Sequence, residues 1–127
     1  MTDQRFIIEM GMGNDQYGED YTKAARRAIK DAIRHSNIPM FKALGPTLNF
    51  SPEDMRVEVT VAVQKPHLVD VNQLLDTLPH GQAKVQVVLG GLNVTNPDTD
   101  KDKDTDNIIV MASAAVEAFL PYLGDKV

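Results

Sequence analysis

The stretch Gly11-Met12-Gly13-Asn14-Asp15-Gln16-Tyr17-Gly18-Glu19-Asp20-Tyr21-Thr22-Lys23-Ala24-Ala25 separates an alternating segment from a helical one. Before it, residues 5–10 (Arg-Phe-Ile-Ile-Glu-Met) put Phe6, Ile8 and Met10 on one face and Ile7 and Glu9 on the other, the period of a strand. Gly11 and Gly13 are expected to break that strand, and residues 14–20 to form a polar loop. After it, Tyr21, Ala24, Ala25, Ala28, Ile29, Ala32 and Ile33 recur at helical spacing and predict a helix over residues 21–36. Asp20 is the expected N-cap, because its carboxylate can accept from the orphan amides of the first turn. Asn37 and Pro39 end the helix. Four of the seven stripe residues are alanine, which lets the helix lie close to a sheet. Arg26, Arg27, Lys30 and Arg34 fall largely off the stripe.

Working outward, residues 38–54 hold Pro39, Gly45, Pro46 and Pro52 and read as a long connection. Over residues 56–63, Val57, Val59, Val61 and Val63 alternate with Arg56, Glu58, Thr60 and Ala62, a strand that Pro66 stops. Asp70 caps a short predicted helix through Leu78, with Val71, Leu74, Leu75 and Leu78 inward. Pro79-His80-Gly81 is a turn. A strand over residues 84–89 points Val85, Val87 and Leu89 inward, Gly90-Gly91 bends the chain, and Leu92-Asn93-Val94 continues as a short strand. Residues 107–122 carry Ile108, Ile109, Met111, Ala112, Ala115, Val116, Phe119 and Leu120 at helical spacing and are expected to be a helix, although their first apolar residues also suit a strand. The order β-α-β-α-β-(β)-α predicts one α/β domain over residues 1–127, a two-layer sandwich with neighbouring parallel strands and right-handed crossovers. The polar Arg-Glu-Thr-Ala face of the second strand points to a sheet face used for oligomerisation, with a trimer favoured.

The chain has 127 residues and a net charge of −5, with 13 Lys and Arg against 18 Asp and Glu. A balance this acidic speaks against nucleic acid or an anionic membrane as a partner, since either needs a basic face. The absence of cysteine removes disulfides and thiolate chemistry and fits a cytoplasmic protein. No signal peptide or membrane span is expected, because no long apolar run occurs. Aspartates at 98, 100, 102, 104 and 106 suggest calcium, but an EF-hand loop needs Gly sixth and Glu twelfth. Counted from Asp98 those positions are Lys103 and Ile109; from Asp100 they are Thr105 and Met111. The run is therefore expected to be a solvated loop, and neither a metal nor a cofactor is expected. His35, His67 and His80 have no paired spacing.

The loop before the helix is the natural ligand-facing element, as open α/β sheets collect ligands where strands end and helices begin. It fails the dinucleotide fingerprint, since its third glycine comes two residues late, and it lacks the Gly-Lys-Ser/Thr of a P-loop. Asp15, Glu19 and Asp20 also disfavour phosphate there. Gly13, Asp15, Tyr17, Gly18 and Thr22 are the expected ligand-binding residues. Asp15 is the acid that helix capping does not explain, so it is the expected acceptor or base, and Asp15→Asn is expected to cost the fold no more than about 1 kcal/mol.

The pattern Gly11-x-Gly13-x-Asp15-x-x-Gly18-x-Asp20-x-Thr22-Lys23-Ala24-Ala25, with Pro79-x-Gly81, Gly90-Gly91 and Ala114-Ala115-Val116-Glu117, resembles a family of small conserved hypothetical proteins of unknown function. The likeness covers nearly the whole chain. That family usually has His-Gly where this chain has Tyr17-Gly18, and it implies no activity. At the level of fold, the element order resembles the trimeric chorismate mutase fold and a single repeat of the ring-opening amidohydrolases, cyanuric acid amidohydrolase and barbiturase. The expected function is binding of a small polar molecule between subunits. The alternatives are an enzyme acting on a cyclic amide or similar heterocycle, with Asp15 and Lys65 or His80 as acid and base, and a non-catalytic assembly module.

Overall fold

Strand β1 spans Asp3–Asp15 and runs straight through Gly11 and Gly13. The computed structural model describes residues 3–35, 55–78, 82–96 and 107–121. The two glycines sit where helix α1 (Tyr21–Arg34) crosses the strand. A Cβ on Gly11 would lie 2.3 Å from the Ala32 nitrogen, and one on Gly13 would lie 2.3 Å from the Ala28 nitrogen. They therefore do not break the strand, as the sequence suggested. They let two backbones touch while strand pairing continues. Helix α1 starts after Asp20, whose side chain accepts from Lys23 N–H, and buries Tyr21, Ala24, Ala25, Ala28, Ile29 and Ala32 as its stripe predicts.

Strand β2 (Arg56–Val63) buries its four valines in alternation. A 3-10 turn at Pro66–Leu68 leads to Asp70, which caps α2 (Val71–Leu75) by accepting from Asn72 N–H. Leu74 is buried and Leu78 packs on the core, whereas Val71 and Leu75 are exposed rather than inward, because they border an open groove beside β2 and the following strand instead of sealing against it. Strand β3 (Gln82–Leu89) pairs parallel with β2 through this crossover. Val85 and Val87 pack on the core, but Leu89, at the strand end, is exposed rather than inward. Strand β4 (Leu92–Asn96) follows.

The last segment departs furthest from expectation. Asn107–Pro121 is a strand, β5, and not a helix. Val110, Ala112, Ala114, Val116 and Ala118 are buried at every second residue. The strand period prevails because β5 fills the middle of the sheet, antiparallel to β1 on one side and to β2 and β4 on the other. A helix there would strand the backbone groups that β1 and β2 now pair. The sheet order is β1-β5-β2-β3, with β4 pairing β5. Strands β1 and β2 point the same way but are separated by β5, so the first βαβ unit does not make neighbouring strands as expected. Helices α1 and α2 share one face and one core, giving a mixed two-layer α/β architecture. Among the described residues no helix is long and apolar enough to cross a membrane. The 38–54 connection, the Pro79-His80-Gly81 turn and the 98–106 aspartate run lie outside the described residues.

The helix contact at Gly11 and Gly13 carries a direct test. Gly11→Ala and Gly13→Ala should each destabilise by about 3 kcal/mol, the upper range for overpacking, because the obstructing atoms are backbone and cannot rotate aside. Urea denaturation measures this; a loss below about 0.5 kcal/mol, the size of an ordinary surface change, would show that helix and strand are not held in contact.

Candidate functional site

Among the described residues strand β1 lies at the edge of the sheet, so the outward amides and carbonyls of its residues have no strand partner there. Side chains of α1 take them up. Arg27 Nη1 donates to Asn14 O at 2.6 Å, and Met12 N–H donates to Asp31 Oδ2 at 3.0 Å. His35 Nδ1 sits 3.3 Å from Met10 O, which can only accept, so that nitrogen carries the hydrogen. Residues 27, 31 and 35 are spaced one turn apart, and the helix axis is brought near enough by Gly11 and Gly13.

The loop that follows β1 is closed by Asp15. Its side chain is only 2% exposed; Oδ2 accepts from Asp20 N–H at 2.9 Å, and Oδ1 lies 3.6 Å from Lys23 Nζ and 4.0 Å from Arg27 Nη1. Gly18 has φ +94° and Glu19 φ +50°, so the chain turns back through the left-handed region, which strains a non-glycine residue at Glu19. Lys65 Nζ lies 3.4 Å from Glu19 Oε2 and ties this turn to the end of β2.

Between the end of β1, this loop and α1 lies an open cleft of about 790 Å³, lined among others by Gly13, Asp15, Tyr17, Lys23, Lys30 and Arg34. Of the residues singled out from sequence, Gly13, Asp15 and Tyr17 thus come together, with Tyr17 71% exposed. Gly18 shapes the loop without lining the cleft. Thr22 is buried, and its hydroxyl accepts from Asp70 N–H at 2.9 Å, joining α1 to α2. Lys65 pairs with Glu19 and does not line the cleft with Asp15, and His80 lies outside the described residues. Lys23, Arg27, Lys30 and Arg34 also line the cleft and are not among the residues expected there from the sequence. Their spacing of four, three and four residues marks one helix face, and that was the available signal. Among the described residues no cluster of three or more His, Asp or Glu is placed to hold a metal ion.

Asp31, at the cleft floor, is held below the usual carboxylate range. The Met12 amide hydrogen bond is the main cause, followed by the Arg34 guanidinium, with the charges of His35 and Arg34 adding to it.

These features define a class: a mixed α/β fold whose described helices share one layer, with a cationic cleft at its edge strand. The chain belongs to the conserved hypothetical protein family Lin0512_fam, whose model matches residues 5–118. A solved structure described as an FtsZ-like protein of unknown function from Nostoc punctiforme is 36% identical, covers 95% of this chain and 98% of its own, and superposes with a TM-score of 0.80. No curated protein matches.

Two outcomes follow from the geometry. Asp15 is buried and not the surface acid expected from the sequence, so Asp15→Ala should cost about 2 kcal/mol, as it leaves the Asp20 amide unpaired and removes the carboxylate beside Lys23 and Arg27; Asp20→Ala should cost about 1 kcal/mol through the lost cap. Chemical denaturation of both variants orders them, and the reverse order would remove Asp15 as the closure of the loop. For Asp31, the folded value lies below the ordinary 3.8, so the carboxylate's contribution is complete above that value and is lost as pH falls through the lower folded one. Asp31→Asn should therefore be less stable than the parent at neutral pH, and the gap should close as pH drops below about 4. A gap that stays constant down to about pH 2 would show that ionised Asp31 contributes nothing.

Proposed function

We propose that the chain is a homo-oligomeric protein, a trimer in the favoured reading, that binds a small polar molecule in the cleft beside β1. The observation that carries this is the double position of β1. Its helix side and outer edge line a cleft of ligand size, about 790 Å³ against the 300–1,000 Å³ usual for small-molecule sites. Its other side stands on the sheet face that α1 and α2 leave uncovered, where Ile8, Met10 and Met12 are 44%, 66% and 51% exposed.

The strand register extends that apolar edge inward with small residues. Met10 lies in a row with Ala115 and Thr60, and Met12 in a row with Ser113 and Ala62. An exposed face of this kind, with a shallow hollow lined by Met10, Met12, Thr60, Ala62, Ser113 and Ala115, suits a second copy of the chain better than open water. Met12 belongs both to this face and to the cleft lining, so a neighbour seated there would wall the ligand site. The one-sided layering is also what supports the likeness to the trimeric chorismate mutase fold.

Light scattering at micromolar concentration should return a multiple of 14.0 kDa, and Met10→Glu should dissociate it while leaving the circular dichroism spectrum unchanged. A 14.0 kDa monomer would overturn the oligomer. A thermal-shift screen of small metabolites tests the ligand, since a compound at 100-fold its Kd stabilises by about 2.7 kcal/mol. An oligomer that responds to none of them is the assembly module.

A further inference from the structure

We infer that the ligand of this cleft is a small anion carrying two or more acidic groups, phosphate or carboxylate, held by the α1 face of Lys23, Arg27, Lys30 and Arg34. This rests on the reading of the cleft as a ligand site and names the chemistry of what fills it. Four cations line the cleft against two carboxylates, an excess of two positive charges in a chain whose net charge is −5. Both carboxylates are already engaged. Asp15 accepts from the Asp20 amide and faces Lys23 and Arg27, while Asp31 accepts from the Met12 amide and from Arg34. Lys30, between Arg27 and Arg34 on the helix, has no partner among the described residues.

The helix is also arranged against its own stability. Lys23 stands in the first turn, where the dipole disfavours a cation, and that turn contains no acid. Lys23 and Arg27, Arg27 and Lys30, and Lys30 and Arg34 are like charges three or four residues apart, each pair mutually repulsive. Asp15 lies beside Lys23 and Arg27 and Asp31 beside Arg34, so what a bound anion would relieve is chiefly the repulsion of Lys30 by Arg27 and Arg34, which a neutral ligand would leave in place. Along the axis the four residues span about 16 Å at 1.5 Å per residue, room for more than one acidic group. The exposed Tyr17 ring stands at the same cleft, where it offers an apolar surface beside the charges.

The experiment is isothermal titration of the full-length chain at low salt with pyrophosphate, citrate and a neutral polyol as probes. Pyrophosphate or citrate should bind, the polyol should not, and added salt should weaken binding. Lys30→Gln should weaken the anion about tenfold, the order of one charge-assisted hydrogen bond, and should leave folding unchanged because Lys30 holds no partner among the described residues. Arg26→Gln, which removes the same charge from the side of the helix that bonds Gln73, should leave affinity unchanged. Equal weakening by both variants would mean attraction to the helix's general charge and would overturn the site. Binding of neutral compounds in preference to the anions would overturn the anion and leave the polar-ligand reading standing. If no probe binds and the metabolite screen also fails, both readings fall.

Discussion

The structure depends on one close approach. At Gly11 and Gly13 the backbone of α1 rests on the backbone of β1, with no side chain of the strand between them. The helix meets that contact with Ala24, Ala28 and Ala32, and β5 continues the same small surface with Ala112, Ala114 and Ala118. Because nothing bulky intervenes, α1 lies low over the edge of the sheet. Side chains one turn apart, at 27, 31 and 35, then reach past the strand to its outward carbonyls and amides. An edge strand that would otherwise offer itself for pairing is occupied from its own helix. A helix lifted by even one methyl layer would lose these bonds and open the cleft floor.

Local pattern and long-range pairing had unequal visibility in the sequence. The valine alternation of β2, the alanine stripe of α1 and the Asp20 and Asp70 caps are local signals, and the elements they mark begin where the sequence puts them, although the Asp70-capped helix stops at Leu75 and not at Leu78. β5 could not be read the same way. Its run of Ile, Val, Met and Ala places apolar residues at both helical and strand spacing, since nearly every position is apolar. The choice between the two was made by β1 and β2, whose facing edges lie about a hundred and about fifty residues away in sequence. Gly11 and Gly13 illustrate the same limit. A glycine in an extended run reads as a break unless the helix that will lie on it is already known.

The candidate site divides along similar lines. Gly13, Asp15 and Tyr17 were legible because they sit between a strand signal and a helix signal. The cationic face of α1 was visible only as charges off the apolar stripe, which is also what any solvated helix shows. It becomes the wall of a cleft only where the strand end and the loop after it fold against it. Thr22 shows the converse: a residue at a ligand-competent helix start, whose hydroxyl is taken by the Asp70 amide to dock α2. Lys65, an acid/base candidate in the sequence, instead pairs with Glu19, which lies in the turn where Gly18 and Glu19 both take positive φ.

The cleft's residues therefore fall into two sets by what already engages them. Asp15 and Asp31 hold backbone amides, and Arg27 holds the Asn14 carbonyl, so these three define the shape of the cleft before anything enters it. Lys23 and Arg34 are each half-engaged, with one carboxylate nearby and donors to spare. Lys30 is engaged by nothing among the described residues. A fixed floor with free cations above it is pre-organised, since the groups that would meet a ligand are held apart by the helix and not by each other. The acids in the loop, which from sequence alone argued against an anion, argue differently once placed. Glu19 faces Lys65, Asp20 caps α1 and Asp15 is turned into the fold, so each is neutralised or shielded by a partner of its own. Of the charges lining the cleft, those without a full set of partners among the described residues are then the cations of α1, Lys30 above all.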